Sequence, residues 1–380
     1  MTTRSRLRVA VAVALAMVAA TGALLGPRLL SLVGDASDAA RDATPSGHPV
    51  GLDRSWVAPV TGWPSALAAD EKGSVVVAGA GEVRALQRRG ATQWRIDVPG
   101  AAFHAPALDG RTVLVGAGDR VAALERADGS RRWETPVADG AAGPVVIAGS
   151  LAIYGTEAGT LGVVDARTGA PRWSTTHPGA IRSAPVVDQG AGSVVGAWHG
   201  GGDAGLRALD LRTGALRWEV PLARFASGPV VHRGLVVVGE GDGNGRARVV
   251  ARRVADGQEA WATAVPASFE SGSTPGAAEG EIAIVDHFGG LTLLDARTGA
   301  GIHRIELEAP VLHTTVVLAA DVAALTTHGG ELVVVERRSG RVRHRADPGG
   351  YPAAIARTGP DLLVALRIRG PGRVESLRLG

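Results

Sequence analysis

From about residue 50 onward, short runs rich in Val, Ala and Leu alternate with polar turns marked by Gly, which predicts many short strands rather than helices. The order within each stretch repeats. A strand opens near a Pro or small residue (SAPVVD from Ser183, SGPVVH from Ser227) and a Val-rich strand follows (SVVVAG from Ser74, LVVVGE from Leu235). After a turn comes a strand ending in Leu-Asp or a similar pair, then a Thr-Gly turn and a strand carrying Trp. This predicts four strands per unit, A to D.

The units are recognisable copies of one another. VVDARTGAPRW from Val163, RALDLRTGALRW from Arg207 and LLDARTGAGIH from Leu293 are one pattern written three times. A Gly followed four residues later by Trp recurs at Gly90/Trp94, Gly129/Trp133, Gly169/Trp173, Gly214/Trp218 and Gly257/Trp261, and His replaces Trp at Gly299/His303 and Gly340/His344. Successive Trp or His positions lie 39, 40, 45, 43, 42 and 41 residues apart, the length of one four-stranded propeller blade. The last unit holds strands A to C only, around Tyr351 to Ala354, Asp361 to Arg367 and Arg373 to Leu379. Trp56, 38 residues before Trp94, supplies the missing strand if Leu52 to Val60 pairs with the C-terminal strand. Closure in that way leaves no exposed sheet edge. The expectation is an all-β, eight-bladed propeller of four-stranded antiparallel blades, closed by N- and C-terminal strands and preceded by an N-terminal hydrophobic helix.

Composition narrows the function classes. Cysteine is absent, which excludes disulfides, thiolate metal sites, thiol nucleophiles and a lipid-modified N-terminal cysteine. The net charge is +3, with Arg4, Arg6, Arg8, Arg28 and Arg41 set against Asp35, Asp38 and Asp42 ahead of the repeats, so nucleic acid is set aside as a partner. The apolar run Val9 to Gly26 behind Arg4, Arg6 and Arg8 reads as an export segment, kept as a single-pass anchor or cleaved as a signal peptide. Its positive flank predicts an extracytoplasmic body. The organisation expected is a signal-anchor or signal peptide at 1–34, a flexible linker at 35–49 and the propeller at 50–380.

The stretch ALDLRTGALRW ending at Trp218, with its relatives, resembles the tryptophan-docking motif of the PQQ-like repeat propellers, the quinoprotein alcohol dehydrogenases and the BamB-type propellers of outer-membrane assembly. The resemblance covers residue 50 to the end and implies docking roles for Trp56, Trp94, Trp133, Trp173, Trp218, Trp261, His303 and His344. In the dehydrogenases it implies a PQQ site built from carboxylates and an amide at a calcium ion, a vicinal cysteine pair and a stacking Trp. Only Trp63 and Trp198 stand outside the docking phase, and no Asp, Glu or Asn can be matched to the catalytic positions. No catalytic, cofactor-binding or metal residue is therefore assigned, nor PQQ or Ca²⁺.

The loops joining D to A and B to C share one face. On it the order of strands places His104, His177, Arg182, Glu270 and His313, and with them Glu157, Trp198, His199, Glu240, Asp286, His287 and His328. The candidate partner face is His104, Glu157, Arg182, Trp198, His199, His287, His313 and His328. It could bind a peptide, a glycan or a metal through neutral imidazoles, or consist of solvated loop residues. EGDGNGRAR from Glu240 starts like a calcium loop, but Arg246 replaces an oxygen ligand and no acid closes it, so it reads as a hairpin turn. These features predict a non-catalytic, extracytoplasmic protein-binding or scaffold module held at the membrane by its N-terminal helix, with an envelope protein or peptide as partner. The alternatives are a PQQ-dependent oxidoreductase and a membrane-tethered sensor domain.

Overall fold

Eight antiparallel sheets, each a chain-local meander except the last, make up the computed structural model. It describes residues 53–60, 64–71, 75–79, 81–100, 104–137, 142–243, 246–267, 269, 273–311, 314–319, 321–347, 350–359, 361–367 and 372–378. They lie within the compact unit His48–Gly380. The expected N-terminal helix and linker lie outside them, and no helix long and apolar enough to cross a membrane occurs among them.

Blade 1 comprises Ala66–Ala69, Val75–Gly79, Glu82–Leu86 and Thr92–Asp97, and blade 2 comprises Ala107–Leu108, Thr112–Ala117, Arg120–Glu125 and Arg131–Pro136. Blade 3 is Ala142–Ala148, Leu151–Thr156, Thr160–Asp165 and Pro171–Thr176; blade 4 is Val186–Asp188, Ser193–Gly200, Asp203–Asp210 and Leu216–Leu222. In blade 5 strand A is split into Phe225–Ala226 and Val230–His232, followed by Leu235–Gly241, Ala247–Arg253 and Glu259–Val265. Blade 6 is Gly276–Ala278, Glu281–Val285, Gly290–Asp295 and Gly301–Glu306; blade 7 is Val317–Ala319, Val322–Thr326, Leu332–Glu336 and Val342–Ala346. Blade 8 joins Tyr351–Thr358, Asp361–Arg367 and Gly372–Arg378 to the N-terminal strand Asp53–Val60, with Asp53 opposite Arg378 and Val60 opposite Gly372. The expected closure by the chain's two ends is thus present.

No single core serves the whole ring. Buried Val, Leu, Ile and Ala side chains form eight clusters, one per seam between neighbouring blades. Ala58, Val60, Leu67, Val77, Leu86, Leu363, Ala365 and Val374 make the closing seam between blades 8 and 1. The central strands bury both faces, which explains why they read as continuous apolar runs instead of alternating ones.

The repeated motif explains how each seam is keyed. In blades 1 to 7 the register shifts one residue past the partner of the Trp or His, as between Ala208 and Leu209 opposite Trp218 and Leu216, and the bulge re-aims the ring out of its own sheet. The ring then lies over the C–D turn of the next blade. Trp94 donates its indole N–H to the Arg126 carbonyl at 2.8 Å, Trp133 to Ala166 at 3.1 Å, Trp173 to Leu211 at 3.1 Å, Trp218 to Val254 at 2.8 Å and Trp261 to Ala296 at 3.1 Å. His303 Nε2 lies 2.8 Å from the Arg338 carbonyl. The glycine of each receiving turn has positive φ, and a Cβ added to Gly299 would sit 2.4 Å from Trp261. Gly is therefore required twice at this position, for the left-handed backbone and for the ring above it. Trp56 of blade 8 lies over Gly90 of blade 1 in the same way. His344 is buried in blade 7, and its successor has no covalent C–D turn to receive it, because strands C and D of blade 8 come from opposite chain ends.

Candidate functional site

The D–A and B–C connections share one face, and hydrogen bonds tie several of the described ones to each other. In blades 3 and 4 Ala180 and His199 exchange backbone bonds at 2.7 and 2.9 Å, joining the 177–182 loop to the tip of the Ser193–Gly200 strand. In blades 6 and 7 Leu307 donates to Gly289, Val311 to His287 and His328 to Pro310. These connections are thereby held in place before any ligand arrives.

Around blades 2 to 4 the candidate residues form one electrostatic path. Arg182 Nε pairs with Glu157 Oε2 at 3.0 Å, bridging blade 3 and the following loop. Burial pushes the His104 pKa below its ordinary value, and the Glu157 carboxylate partly offsets this. Burial also lowers His199, with the Arg182 cation acting in the same direction. Both imidazoles are consequently neutral at pH 7. Trp198 does not project from this path. Its ring packs on His177 with centroids 4.2 Å apart, and a Cβ added to Gly179 or Gly205 would come within 2.9 or 2.6 Å of it. His177 in turn faces Glu219 at 3.1 Å, whose other oxygen meets Arg207 at 3.1 Å. The indole is therefore a seam residue between blades 3 and 4.

A second feature stands at blade 6. Asp286 is 1 % exposed, and its Oδ1 accepts the backbone N–H groups of Phe288 at 2.8 Å and Gly290 at 3.1 Å. Its Oδ2 takes Arg304 Nη2 at 2.9 Å, and Arg304 also donates to the Pro266 carbonyl and to Thr292. This carboxylate holds the B–C turn in one shape and leaves Phe288 52 % exposed at its tip, against buried His287 with ring centroids 5.4 Å apart. His328 lies in the neighbouring turn of blade 7, while His313, Glu270 and Trp63 lie outside the described residues. Glu240 is buried in blade 5, accepting from Ala223 N and Arg248, so it braces the EGDGNGRAR hairpin.

The structure thus brings His104, Glu157, Arg182 and His199 together, and puts His287 and His328 on the same face but around blades 6 and 7. Sequence reasoning missed Phe288, Glu219 and Arg207. The only signal for Phe288 was an aromatic residue between His287 and the Gly289-Gly290 pair at a B–C turn. Among the described residues no three of His, Asp and Glu converge as a metal site. Of the two tryptophans outside the docking phase, Trp198 is packed in its seam and Trp63 lies outside the described residues.

The family model described as outer membrane protein assembly factor BamB matches residues 35–141, 117–273 and 267–369. The outer membrane protein assembly factor BamB of Yersinia pestis is 28% identical over 223 residues, covering 51% of this chain and 54% of that protein. The serine/threonine-protein kinase AfsK of Streptomyces griseus is 36% identical over 136 residues, 33% of this chain and 16% of that protein. The chain therefore matches about half the length of the first relative and a sixth of the second. Among solved structures, BamB from Moraxella catarrhalis superposes with a TM-score of 0.67 at 17% identity, over 86% of this chain and 98% of that one. A quinohemoprotein alcohol dehydrogenase from Comamonas testosteroni does so at 0.63 and 16% identity, over 87% and 76%. These two likenesses show a shared fold. With the family match running over nearly the whole repeat region and the Trp-on-Gly keys at its seams, the chain belongs to the BamB-like family of PQQ-repeat propellers.

Proposed function

We propose that this propeller is a non-catalytic scaffold outside the cytoplasm, tethered or exported by its N-terminal segment, and that it holds a protein partner on the D–A/B–C face. The observation that carries the reading is Phe288, an exposed aromatic side chain on a turn already ordered by buried Asp286. A rigid aromatic anchor of this kind contributes contact area at low ordering cost, the property of residues that dominate protein interfaces. The His104, Glu157, Arg182 and His199 path supplies a polar counterpart at blades 2 to 4. The match to an assembly factor supports a protein partner over a substrate. No cofactor is assigned.

A photo-crosslinking residue at position 288, in the full chain expressed in its own envelope, should trap one discrete protein adduct. The same residue at Ala255 on the opposite face should not. Phe288→Ala should abolish co-purification of that protein with the melting temperature unchanged. Equal adducts from both positions, or co-purification indifferent to Phe288, would remove the basis for this face.

A further inference from the structure

The other face of the ring, made by the A–B and C–D turns, carries a repeated charge pattern that docking does not need. Two residues before the docking glycine stand Arg88, Arg167, Arg212, Arg297 and Arg338, in blades 1, 3, 4, 6 and 7. All five are exposed, and none makes an ion pair among the described residues.

The turn chemistry explains why they are left outside. Asp165, Asp210 and Asp295, four residues before the glycine, spend one oxygen on the turn backbone and the Thr hydroxyl. In blades 3 and 4 the second oxygen is taken at 2.7 Å by Arg172 or Arg217 from strand D. These carboxylates bond the turn itself, and in blades 3 and 4 also strand D, while the tip arginines stay exposed. On the D–A/B–C face, by contrast, Arg120, Arg182, Arg248 and Arg304 are each held by carboxylates. Arg224 and Arg246 on that face are exposed without an ion pair among the described residues, but only the A–B/C–D face repeats such a cation at the same turn position in five blades.

The same side is where the described chain begins. Asp53 starts strand D of blade 8 opposite Arg378, at the C–D end of that sheet. Charge then selects how the ring lies. We propose that the A–B/C–D face is a membrane-facing surface, on which the five turn arginines hold the propeller flat against anionic lipid headgroups and turn the Phe288 face away from the bilayer. The orientation rests on the tethered reading given above; the affinity of the face for anionic headgroups does not.

The absence of cysteine makes the test direct, since one introduced thiol can be labelled alone. The full chain carrying Ala255→Cys, at a C–D turn tip, or Ala158→Cys, at a B–C turn tip, is labelled with a fluorophore. It is reconstituted into phosphatidylcholine vesicles with or without 30 % phosphatidylglycerol (roughly the anionic fraction that gives a strong surface potential), and these contain a headgroup spin-labelled quencher. The expected result is strong quenching of the Ala255 label and weak quenching of the Ala158 label in anionic vesicles. The difference should vanish in neutral lipid, at about 1 M salt where screening is within ~3 Å, and when all five arginines are replaced by Gln. Each arginine should account for roughly a 3- to 5-fold change in partitioning of the face. Equal quenching of both labels in anionic vesicles, or an unchanged difference in the five-Gln variant with native circular dichroism, overturns the proposal. So does binding of soluble polyphosphate by the full chain with quenching that is the same in vesicles with and without phosphatidylglycerol. Alkaline extraction from neutral vesicles reports separately on the tether. If the chain is extracted, the tether fails, and salt-sensitive flotation with anionic vesicles still decides the arginine face.

Discussion

Substituting the docking glycines separates backbone strain from ring contact. Gly299, Gly340 and Gly149 all have positive φ, at 72°, 69° and 59°. An Ala at any of them carries the left-handed cost of about 1–2 kcal/mol. Their surroundings differ in steps. A Cβ at Gly149 meets nothing within 4 Å; at Gly340 it lies 3.1 Å from His303; at Gly299 it lies 2.4 and 2.6 Å from Trp261 and 2.8 Å from Thr263 Oγ1. At Gly299 the indole must move, giving up its hydrogen bond to Ala296, worth about 1 kcal/mol, and part of its packing, worth a further ~1–2 kcal/mol. Gly299→Ala should therefore cost about 3–5 kcal/mol, Gly149→Ala only the backbone part, and Gly340→Ala an intermediate amount. At roughly 1.5 °C per kcal/mol for a body of this size, the drops in melting temperature should be about 2 °C for Gly149 and 5–7 °C for Gly299. Thermal unfolding followed by circular dichroism measures them, and in a Trp261→His background the Gly299→Ala penalty should shrink toward the Gly340 value. Equal penalties at Gly149 and Gly299 would refute ring-on-glycine keying.

Removing residues 1–60 deletes the outer strand of blade 8, uncovers buried Glu375 and lifts Trp56 from Gly90; the melting temperature should fall by more than ~5 °C and light scattering should report association through the opened edge. His104 and His199 are held below their ordinary 6.5, so stability is full above that pH and declines as the pH falls through it, when unfolded imidazoles bind protons that the fold resists. His104→Asn should flatten the melting temperature between pH 6.5 and 5, and an unchanged slope would remove His104 as a contributor. Hydrogen bonds from Arg172 and Thr168 hold Asp165 at about 2 against an ordinary 3.8, so its contribution is present above 3.8 and is lost as the pH falls toward 2. Asp165→Asn should lower stability at neutral pH and reduce the acid dependence in that window, measured by urea titration at pH 6 and pH 3.

What was legible in the chain is what recurs in it. The Gly-x-x-x-Trp spacing counted the blades, and lone Trp56 with the three-stranded last unit placed the closing strand, because a four-stranded meander is a local event written within about forty residues. The fate of individual polar side chains was not legible, since their partners belong to neighbouring blades. In sequence Trp198 beside His199 reads either as an anchor for a partner or as packing against the neighbouring blade, and it is Gly179, Gly205 and the ring of His177 that enclose it in the seam between blades 3 and 4. Phe288, unremarkable in sequence, is exposed because Asp286 and Arg304 lock the turn beneath it. The turn arginines were visible in every Arg-Thr-Gly copy, but only the folded ring shows that their carboxylate neighbours are already engaged and that the chain starts on their side. The sequence by itself thus determined the repeat, the blade number and the closure, all of which follow from local strand and turn chemistry. The tertiary structure alone decided which side chains are left over for partners, because exposure and ion pairing are settled across seams, between residues some forty positions or an entire circuit apart.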